Sequence, residues 1–378
     1  MPKHASGQRS RCKERIVAST TPPVRFAPIH SFLPSDGDMI YPARIGTHLN
    51  RIGRLGLGSK DTALRAYFAL LARALPRLQN LTELTLSPIG MCRVDDECAR
   101  LLAESFGKVL SLCTFPNLET LVFRVPMDVN GLEFLRNHQR HLTVLDLRPS
   151  RLVASLSDVE LTFPRLTRLE LPAVLVTSFL AGCHVPKISQ IGVEWGQWYT
   201  ERIISLTDIG NAVGNACGSY DSPLYLRTDL TNTRVCDVHV LEALSVHLSE
   251  LEGLEIVSEA SNWLIEPLES VLPELTSLLA NFPRIQTFKS YVRSGPQWRN
   301  MRMGPYTPEQ EYEAVCALGR MVPFLKECQL PFGVLWNLDN GLWVPRRASD
   351  FALQFDTLLL DWVNNRAKRG VYPQAIPL

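Results

Sequence analysis

The sequence lacks the motifs that mark the common classes of enzyme. It contains no Gly-x-Ser-x-Gly, no His-Glu-x-x-His and no Gly-x-Gly-x-x-Gly after a strand. Those patterns would place a nucleophile, a zinc site and a dinucleotide phosphate site. The segment 53–60 ends in Gly-Ser-Lys, whereas a phosphate-binding loop needs Gly-Lys-Ser or Gly-Lys-Thr. We therefore expect a protein that is not an enzyme and that holds no cofactor and no metal.

Long apolar runs are also absent. The longest uncharged stretch, Leu171 to Pro186, is too short to span a bilayer and contains Gly182 and His184. The first residues, Met1-Pro2-Lys3-His4, do not begin the apolar segment of a signal peptide. From these features we expect no membrane partner and a location in the cytoplasm or the nucleus.

Neither the cysteines nor the overall charge indicates a special chemistry. The nine cysteines are scattered, which is neither a disulfide framework nor a zinc-finger spacing. Cys183-His184 and Asp237-Val238-His239 each offer two metal ligands, and neither has a second pair at zinc spacing. The 39 basic and 38 acidic residues give a net charge of +1, which argues against a protein built as a whole to bind nucleic acid.

The charge is nevertheless unevenly distributed along the chain. Residues 1–60 carry ten basic and three acidic side chains, a net charge of +7, and the remaining 29 basic and 35 acidic side chains give −6. This first part also contains six prolines and few periodic apolar positions. We predict that residues 1–45 form a mobile, disordered basic tail. The alternative is a nuclear-targeting or nucleic-acid-binding role for its basic cluster, Arg9, Arg11, Lys13 and Arg15.

What the sequence does contain is a repeated leucine-rich pattern. Five segments share a nine-residue pattern in which a proline follows a large apolar residue, and they begin at Phe115, Phe163, Val185, Phe282 and Val322. Three further copies lack that proline, and they begin at Leu81, Leu142 and Leu251. The wide gap between the copies at Val185 and Leu251 predicts one more copy near Leu224–Leu226.

The pattern has a direct structural meaning. Each copy ends in an alternation such as Leu-x-Leu, which predicts a short strand with one buried face. The proline ends the preceding helix, because it fixes φ and biases the residue before it away from the helical region. Apolar residues at helical spacing predict helices in six segments, 64–78, 98–110, 235–248, 268–282, 307–316 and 351–363. For the fifth, Thr307, Pro308 and Gln310 form the signature of a capping box.

Helix, proline and strand in succession predict an α/β fold, a leucine-rich-repeat-like βα solenoid of about eight irregular repeats. Neighbouring units stack because none buries its own apolar face. The predicted organisation is the basic tail over residues 1–45, the repeats over residues 46–345, and a C-terminal capping helix and tail over residues 346–378. Trp336 and Trp343 are predicted to belong to a cap over the open end.

The repeats resemble a leucine-rich repeat array, although the usual Asn or Cys ladder position is missing. Copies that begin Phe-Pro-x-Leu or Phe-Pro-x-Ile, at Phe115, Phe163 and Phe282, resemble the leucine-rich region of fungal F-box proteins. The resemblance implies protein–protein recognition, with a protein client, as the substrate receptor of a cullin-based ubiquitin ligase.

The F-box itself is not found in the chain. Leu33-Pro34 imitates its opening, but Gly37, Pro42 and Gly46 interrupt the helices that should follow. A Skp or cullin adaptor is therefore expected as a partner only where an F-box lies upstream. The alternatives are a free-standing scaffold without a ligase link and a nucleic-acid-associated factor that uses the basic tail.

The candidate binding residues flank the buried leucines. Arg124, Arg148 and Arg168 come from three successive copies and predict a basic ladder interleaved with Asp146 and Glu170. Because these arginines are expected to be exposed, reversing all three charges should leave folding nearly intact. The other candidate partner-binding residues are Glu194, Trp195, Trp198, Lys289 and Tyr291. The alternative for the two tryptophans is that they fill the widened gap before the next strand.

Overall fold

The computed structural model describes residues 42–44, 57–87, 96–149, 160–195, 205–217, 224–230, 237–258, 268–292, 307–330, 334–346 and 353–369. The strands among these residues are β1 (Pro42–Arg44), β2 (Glu83–Leu86), β3 (Thr120–Phe123), β4 (Val144–Leu147), β5 (Leu161–Thr162), β6 (Arg168–Pro172), β7 (Cys183–His184), β8 (Gln190–Glu194), β9 (Tyr225–Asp229), β10 (Gly253–Ser258), β11 (Thr287–Val292), β12 (Glu327–Gln329), β13 (Leu335–Asp339) and β14 (Leu342–Arg346). The helices are α1 (Leu57–Ala74), α2 (Asp96–Leu110), α3 (Val129–His138), α4 (Ala173–Ala181), α5 (Leu206–Cys217), α6 (Asp237–His247), α7 (Leu268–Leu279), α8 (Pro308–Met321) and α9 (Leu353–Lys368).

Twelve of these strands form one large sheet in the order β1-β2-β3-β4-β6-β8-β9-β10-β11-β12-β13-β14. Every neighbouring pair from β1 to β12 is parallel. The last two pairs are antiparallel, and β5 pairs with β7 in a separate two-stranded sheet. Parallel neighbours need a crossover connection, and a described helix lies between most of them in the chain. The described residues therefore have a mixed α/β fold.

The leucines of the repeats are in register across this sheet. Leu121 lies opposite Leu145, Leu145 opposite Leu169, and Leu169 opposite Ile191. All four side chains are completely buried, and they belong to one core cluster with the apolar residues of the helices. The predicted stacking of these four residues in adjacent strands is confirmed.

The copy predicted in the widest gap is also confirmed. Strand β9 lies between β8 and β10, and its buried Leu226 lies opposite Ile191 on one side and Leu254 on the other. The rows of apolar side chains therefore continue through the sheet without a break, although the sequence at this copy departs from the pattern.

The turns before most of the parallel strands are held by hydrogen bonds to the preceding repeat. The carbonyl oxygen of Thr143 accepts from the N–H groups of Thr167 and Arg168, at 2.8 and 3.2 Å, and from the Thr167 hydroxyl at 3.1 Å. The hydroxyls of Thr143 and Ser189 donate in the same way to the carbonyls of Glu119 and Thr167. Side-chain hydroxyls thus hold this part of the array together where the sequence lacks an Asn or Cys ladder.

A buried histidine supports the first Phe-Pro turn. His138 Nε2 accepts from the Phe115 N–H at 2.9 Å, so Nδ1 carries the proton and donates to the Phe134 carbonyl at 2.7 Å. Burial lowers the pKa of His138, and this outweighs the opposing effect of the bond to Phe134. The neutral imidazole therefore satisfies a backbone N–H that would otherwise be unpaired in the core.

Helices form in all six predicted segments, and the described residues contain three further helices. At α8 the Thr307 hydroxyl accepts from Gln310 N at 3.3 Å and Gln310 Oε1 accepts from Thr307 N at 2.9 Å, which confirms the capping box. Helices α3, α4 and α5 were not predicted. Of these, α4 is apolar almost throughout, so it has no amphipathic period to detect.

The two ends of the sheet also differ from the sequence-based expectation. Strand β1 pairs with β2 although residues 42–44 fall within the predicted tail, and the rest of that tail lies outside the described residues. At the other end β13 and β14 form a hairpin whose turn residues, Asn340 and Gly341, have φ of 49° and 82°. Its Trp336 and Trp343 are buried, and Trp336 packs edge-on against Trp362 of α9.

The register of the leucines yields a direct test. Leu145 is fully buried, whereas its chain neighbour Val144 lies on the opposite face and is half-exposed. Leu145→Ala should therefore lower the free energy of unfolding by about 2–5 kcal/mol, through lost apolar burial and a cavity. Val144→Ala should cost less than about 1 kcal/mol. Chemical denaturation of both variants measures the difference, and equal costs would contradict the assigned faces.

Candidate functional site

The face of the large sheet that alternates with the buried leucines carries polar side chains. We call it the polar face, and its charged and aromatic members with described side chains are Glu83, Arg124, Asp146, Arg148, Arg168, Glu170, Glu194, Tyr225, Arg227, Asp229, Glu255, Lys289 and Glu327. Most of these residues are half-exposed, which gives strands such as β2 and β3 a strict alternation of half-exposed and buried positions. The parallel sheet therefore has one apolar and one polar side.

Asp146 is the centre of the N-terminal part of the polar face. Its carboxylate accepts from Arg124 at 2.5 and 3.0 Å and from Arg148 through two bonds of 2.6 Å. Arg148 also donates to Glu194 Oε2 at 2.8 Å. Only 7% of the Asp146 side chain is exposed, so this carboxylate is shielded by the two guanidinium groups that it binds.

The electrostatics of this cluster favour the ionised forms. Burial alone would raise the pKa of Asp146, but the hydrogen bonds and charges of Arg148 and Arg124 outweigh it, so its pKa lies below the ordinary value of 3.8. Burial would lower the pKa of Arg148, and the bonds to Asp146 together with the charges of Glu194 and Glu170 raise it instead. The cluster is therefore a permanent ion-pair network at neutral pH.

Two glycines allow side chains to lie flat on the polar face. A β-carbon at Gly192 would lie 1.9 Å from Glu170 Oε2, and one at Gly253 would lie 2.0 Å from the Tyr225 ring. Glu170 therefore leans over β8, where it also accepts from Arg168 at 2.9 Å. Tyr225 leans over β10 and keeps 38% of its surface exposed.

The predicted basic ladder is not a basic surface. Arg124, Arg148 and Arg168 do come side by side from three successive repeats, but each forms an ion pair with Asp146 or Glu170. Reversing all three charges would place a new carboxylate at position 148 beside buried Asp146. The Asp146 carboxylate would then have no cationic partner. The premise that Arg148 is exposed is therefore wrong, because only 21% of its side chain is exposed, and we expect the triple variant to be destabilised.

The basic residues in the C-terminal part of the polar face also form ion pairs. Arg227 pairs with Glu255 at 3.1 Å, and Lys289 pairs with Glu327 at 3.1 Å. Each pair joins neighbouring strands, and none of the four side chains is more than 35% exposed. These pairs were not predicted, because their members lie 28 and 38 residues apart in the chain.

The aromatic candidates do not group with the charged ones. Trp195 is buried in the core, where its Nε1 donates to Thr228 Oγ1 at 2.9 Å, so it fills the space beside the next strand as the alternative predicted. Trp198 lies outside the described residues. Tyr291 is opposite Val257 in the register of β11, and its side chain is likewise outside the described part. Tyr225, which sequence reasoning did not select, is the aromatic side chain that the described polar face exposes.

The described cysteines and histidines do not form a reactive or metal-binding centre. Burial raises the pKa of Cys183 and of Cys113 to about 12 and also raises that of Cys328, so these thiols stay protonated. Among the residues with described side chains, no three His, Cys, Asp or Glu residues are placed to hold a metal ion. The side chains of Cys183 and exposed His184 thus offer at most two ligands. Of segment 53–60, the first four residues lie outside the described residues, and 57–60 begin helix α1, without described side chains.

A search of the described helices finds none that is both long and apolar enough to cross a membrane.

No family model matches the sequence, and no curated protein matches it. Among solved structures, the chain is similar to one entitled "Crystal structure of TLR13-ssRNA13 complex", with 14% sequence identity and a TM-score of 0.31. The match covers 66% of this chain and 32% of that chain, so it spans about a third of the other protein. A likeness at this TM-score carries no argument about function.

The ion-pair network predicts a characteristic dependence on pH. Asp146→Ala should lower the free energy of unfolding by about 3 kcal/mol at pH 7, because it leaves Arg148 half-buried without its main partner. The folded-state pKa of Asp146 lies below its ordinary value, so its contribution is complete above pH 3.8 and is lost as the pH falls below that value. The difference between the two proteins should therefore shrink in acid, as measured by urea denaturation from pH 7 to about pH 2.5.

The matched control is an exposed ion pair. Glu250 pairs with Arg284 at 2.9 Å, and both side chains are more than 60% exposed. Glu250→Ala should cost less than about 0.5 kcal/mol at every pH. A cost for Asp146→Ala as small as this, or one that does not change with pH, would contradict the role assigned to the buried carboxylate.

Proposed function

We propose that the protein is a leucine-rich-repeat-like βα solenoid that recognises another protein through the polar face. The observation that carries the proposal is the polar face itself, which spans nine parallel strands in register, from β2 to β12. Parallel sheets usually have both faces covered by helices and are apolar on both sides. A long parallel sheet with one polar, half-exposed face is the geometry that stacked repeats use for binding.

The ion pairs of the polar face support recognition of a folded partner. Arg124, Arg148 and Asp146 hold one another in fixed positions, so they lose little side-chain entropy when a partner binds. Their signs alternate with those of the neighbouring strands, which favours a partner surface with both signs of charge over a polyanion. Tyr225 adds an exposed aromatic side chain, the residue type that most often anchors protein interfaces.

A ligase role is a narrower version of this proposal. Its support is the resemblance of the Phe-Pro-x-Leu copies at Phe115 and Phe163 to fungal F-box proteins, so the client would be a ubiquitination target. The basic tail and the location in the cytoplasm or nucleus remain predictions, as does the absence of enzymatic activity. A pull-down with purified Skp tests the ligase link separately from the recognition of a client.

Photo-crosslinking tests the use of the polar face. Benzoylphenylalanine placed at Tyr225 should crosslink a client in extracts of the source cells, because this position is exposed and central on the face. Val246 of α6 provides the control, since it is 75% exposed and belongs to the helical layer. Tyr225→Ala should reduce capture of the same client by about tenfold or more if the ring is an anchor.

The outcomes of that experiment separate the alternatives. A client that crosslinks from Tyr225 and not from Val246 supports recognition by the polar face. Crosslinking from Val246 alone would contradict the proposal, because the client would then bind the helical layer. Unchanged capture by Tyr225→Ala would remove the ring from the interface.

A further inference from the structure

The turns before β4, β6 and β8 carry a second charged surface that differs from the polar face. His141, Arg165 and Lys187 each lie two residues before a hydroxyl-bearing turn residue, Thr143, Thr167 or Ser189. Those turn residues are joined in series by backbone hydrogen bonds, from Thr167 N to Thr143 O at 2.8 Å and from Ser189 N to Thr167 O at 3.0 Å. The three side chains therefore occupy equivalent positions in successive repeats, and all three residues are exposed.

Two more residues extend this surface. Arg140 precedes His141 and is exposed. His184 is exposed and lies opposite Thr162 in the pairing of β5 with β7, and the Thr162 N–H donates to the Gln139 side chain at 2.6 Å. Gln139, Thr162 and His184 thus form an adjacent row beside the first one. We call the five residues Arg140, His141, Arg165, His184 and Lys187 the turn patch.

The cations of the turn patch are unpaired, unlike those of the polar face. Within the part of the chain that the structure describes, Arg140, Arg165 and Lys187 form neither an ion pair nor a side-chain hydrogen bond. Of the exposed acidic residues around the patch, Glu133 pairs with Arg136 instead, and Glu119 and Glu160 form no ion pair with these cations in the described residues. Three neighbouring cations without counter-charges leave a local positive potential that an anionic partner would neutralise.

The residues at the equivalent turn position of the other repeats show that the unpaired positive charge is local to these three turns. In the later repeats it is occupied by Glu250, Arg284 and Phe324, and Arg284 is neutralised by Glu250 at 2.9 Å. In the earlier repeat it is Asn117. Unpaired positive charge is thus concentrated at the turns before three consecutive strands of the large sheet, and the later cation is paired.

We propose that the turn patch binds a short acidic segment of a partner protein. The three turns span about 10 Å, since neighbouring strands are about 4.8 Å apart. Three or four residues of an extended peptide have that length, at about 3.3 Å per residue. Carboxylates along such a segment would meet Arg140, Arg165 and Lys187 in turn.

A nucleic acid fits the described residues less well. Specific binding of nucleic acid buries about 1,000 Å² or more of protein surface and needs positive charge over that area. On one side the patch ends at Glu119, and on the other side the turn before β10, two strands beyond β8, carries Glu250. The chain after residue 60 is also net negative, so a long polyanion would meet repulsion outside the patch.

A defined peptide tests the proposal on the full-length chain. The probe is a fluorescein-labelled deca-glutamate peptide, and binding is followed by fluorescence anisotropy at about 50 mM salt, where exposed charges are weakly screened. The tail also carries cations, so the parent protein has Arg9, Arg11, Lys13 and Arg15 replaced by glutamine. Arg165→Glu combined with Lys187→Glu should weaken binding about tenfold, because two attractions become repulsions.

The control uses the same turn position in a paired setting. Arg284→Glu should change the affinity by less than about twofold, because Glu250 already neutralises that cation. Saturable binding by the parent, lost in the double variant and kept in Arg284→Glu, supports the proposal. No saturable binding by the parent, equal binding by the double variant, or an equal loss in Arg284→Glu would overturn it.

A second arm separates the class of partner. A ten-nucleotide single-stranded DNA carries a comparable charge, and we expect it to bind the parent protein more weakly than the peptide. Tighter binding of the DNA that depends on Arg165 and Lys187 would assign the patch to a nucleic acid and overturn the proposal. The turn patch lies outside the polar face, so this result and the crosslinking result from Tyr225 can fail independently.

Discussion

The constraint on which the structure depends is that each repeat exposes an apolar strand face that only its neighbours and their helices can bury. Leu121, Leu145 and Leu169 lose contact with water completely because they stand in register beside one another. Burial of a leucine side chain contributes about 1.5–3 kcal/mol, and the rows repeat this along the sheet. The hydrogen bonds of the turns keep these rows aligned.

The turns show how that alignment is kept. In the turns before β3, β4, β6, β8, β10, β11 and β12, two N–H groups donate to one carbonyl of the preceding repeat, as Thr167 and Arg168 do to Thr143. Hydroxyls add a third bond in the region with the shortest repeats. His138 does the same for the buried N–H of Phe115. These bonds satisfy backbone groups that would otherwise be unpaired in a closely packed stack.

In-register stacking also determines what the two charged surfaces present. On the polar face, side chains of adjacent strands are close enough to pair, so Asp146 binds two arginines and neutralises their positive charge. At the turns, the side chains project from the edge of the sheet, and Arg165 and Lys187 meet no carboxylate in the described residues. The same repeat thus produces a pre-organised, mixed-charge face and a locally positive edge.

The repeated apolar pattern was enough to predict the rows and the hidden copy around Leu226. The capping box at Thr307 was predicted from Thr307, Pro308 and Gln310, again from local sequence. The ion pairs could not be predicted in the same way, since their members are brought together by stacking, as for Arg148 and Glu194. The β13–β14 hairpin had a local signal, the Asn340-Gly341 turn between apolar residues, that was missed. The wrong expectation about Arg148 arose from treating an exposed sequence pattern as an exposed side chain.

The same distinction applies to the aromatic residues. Trp195 follows a strand and resembles a surface anchor in the sequence. Its side chain is nevertheless buried in the core, where it fills the space beside the next strand. Tyr225 lies in a copy that departs from the pattern, and its exposure depends on Gly253 in the next strand. Because Gly253 is 28 residues from Tyr225 in the chain, the local sequence could not predict that Tyr225 is exposed.

A double-mutant cycle on the buried rows tests nearest-neighbour stacking most directly. Leu145 and Leu169 are opposite each other in adjacent strands, whereas Leu145 and Leu254 are separated by three strands. Alanine substitutions at Leu145 and Leu169 should therefore couple by about 0.5 kcal/mol or more, and those at Leu145 and Leu254 should be additive within about 0.5 kcal/mol. Additivity of the adjacent pair, or equal coupling of the distant pair, would contradict the account.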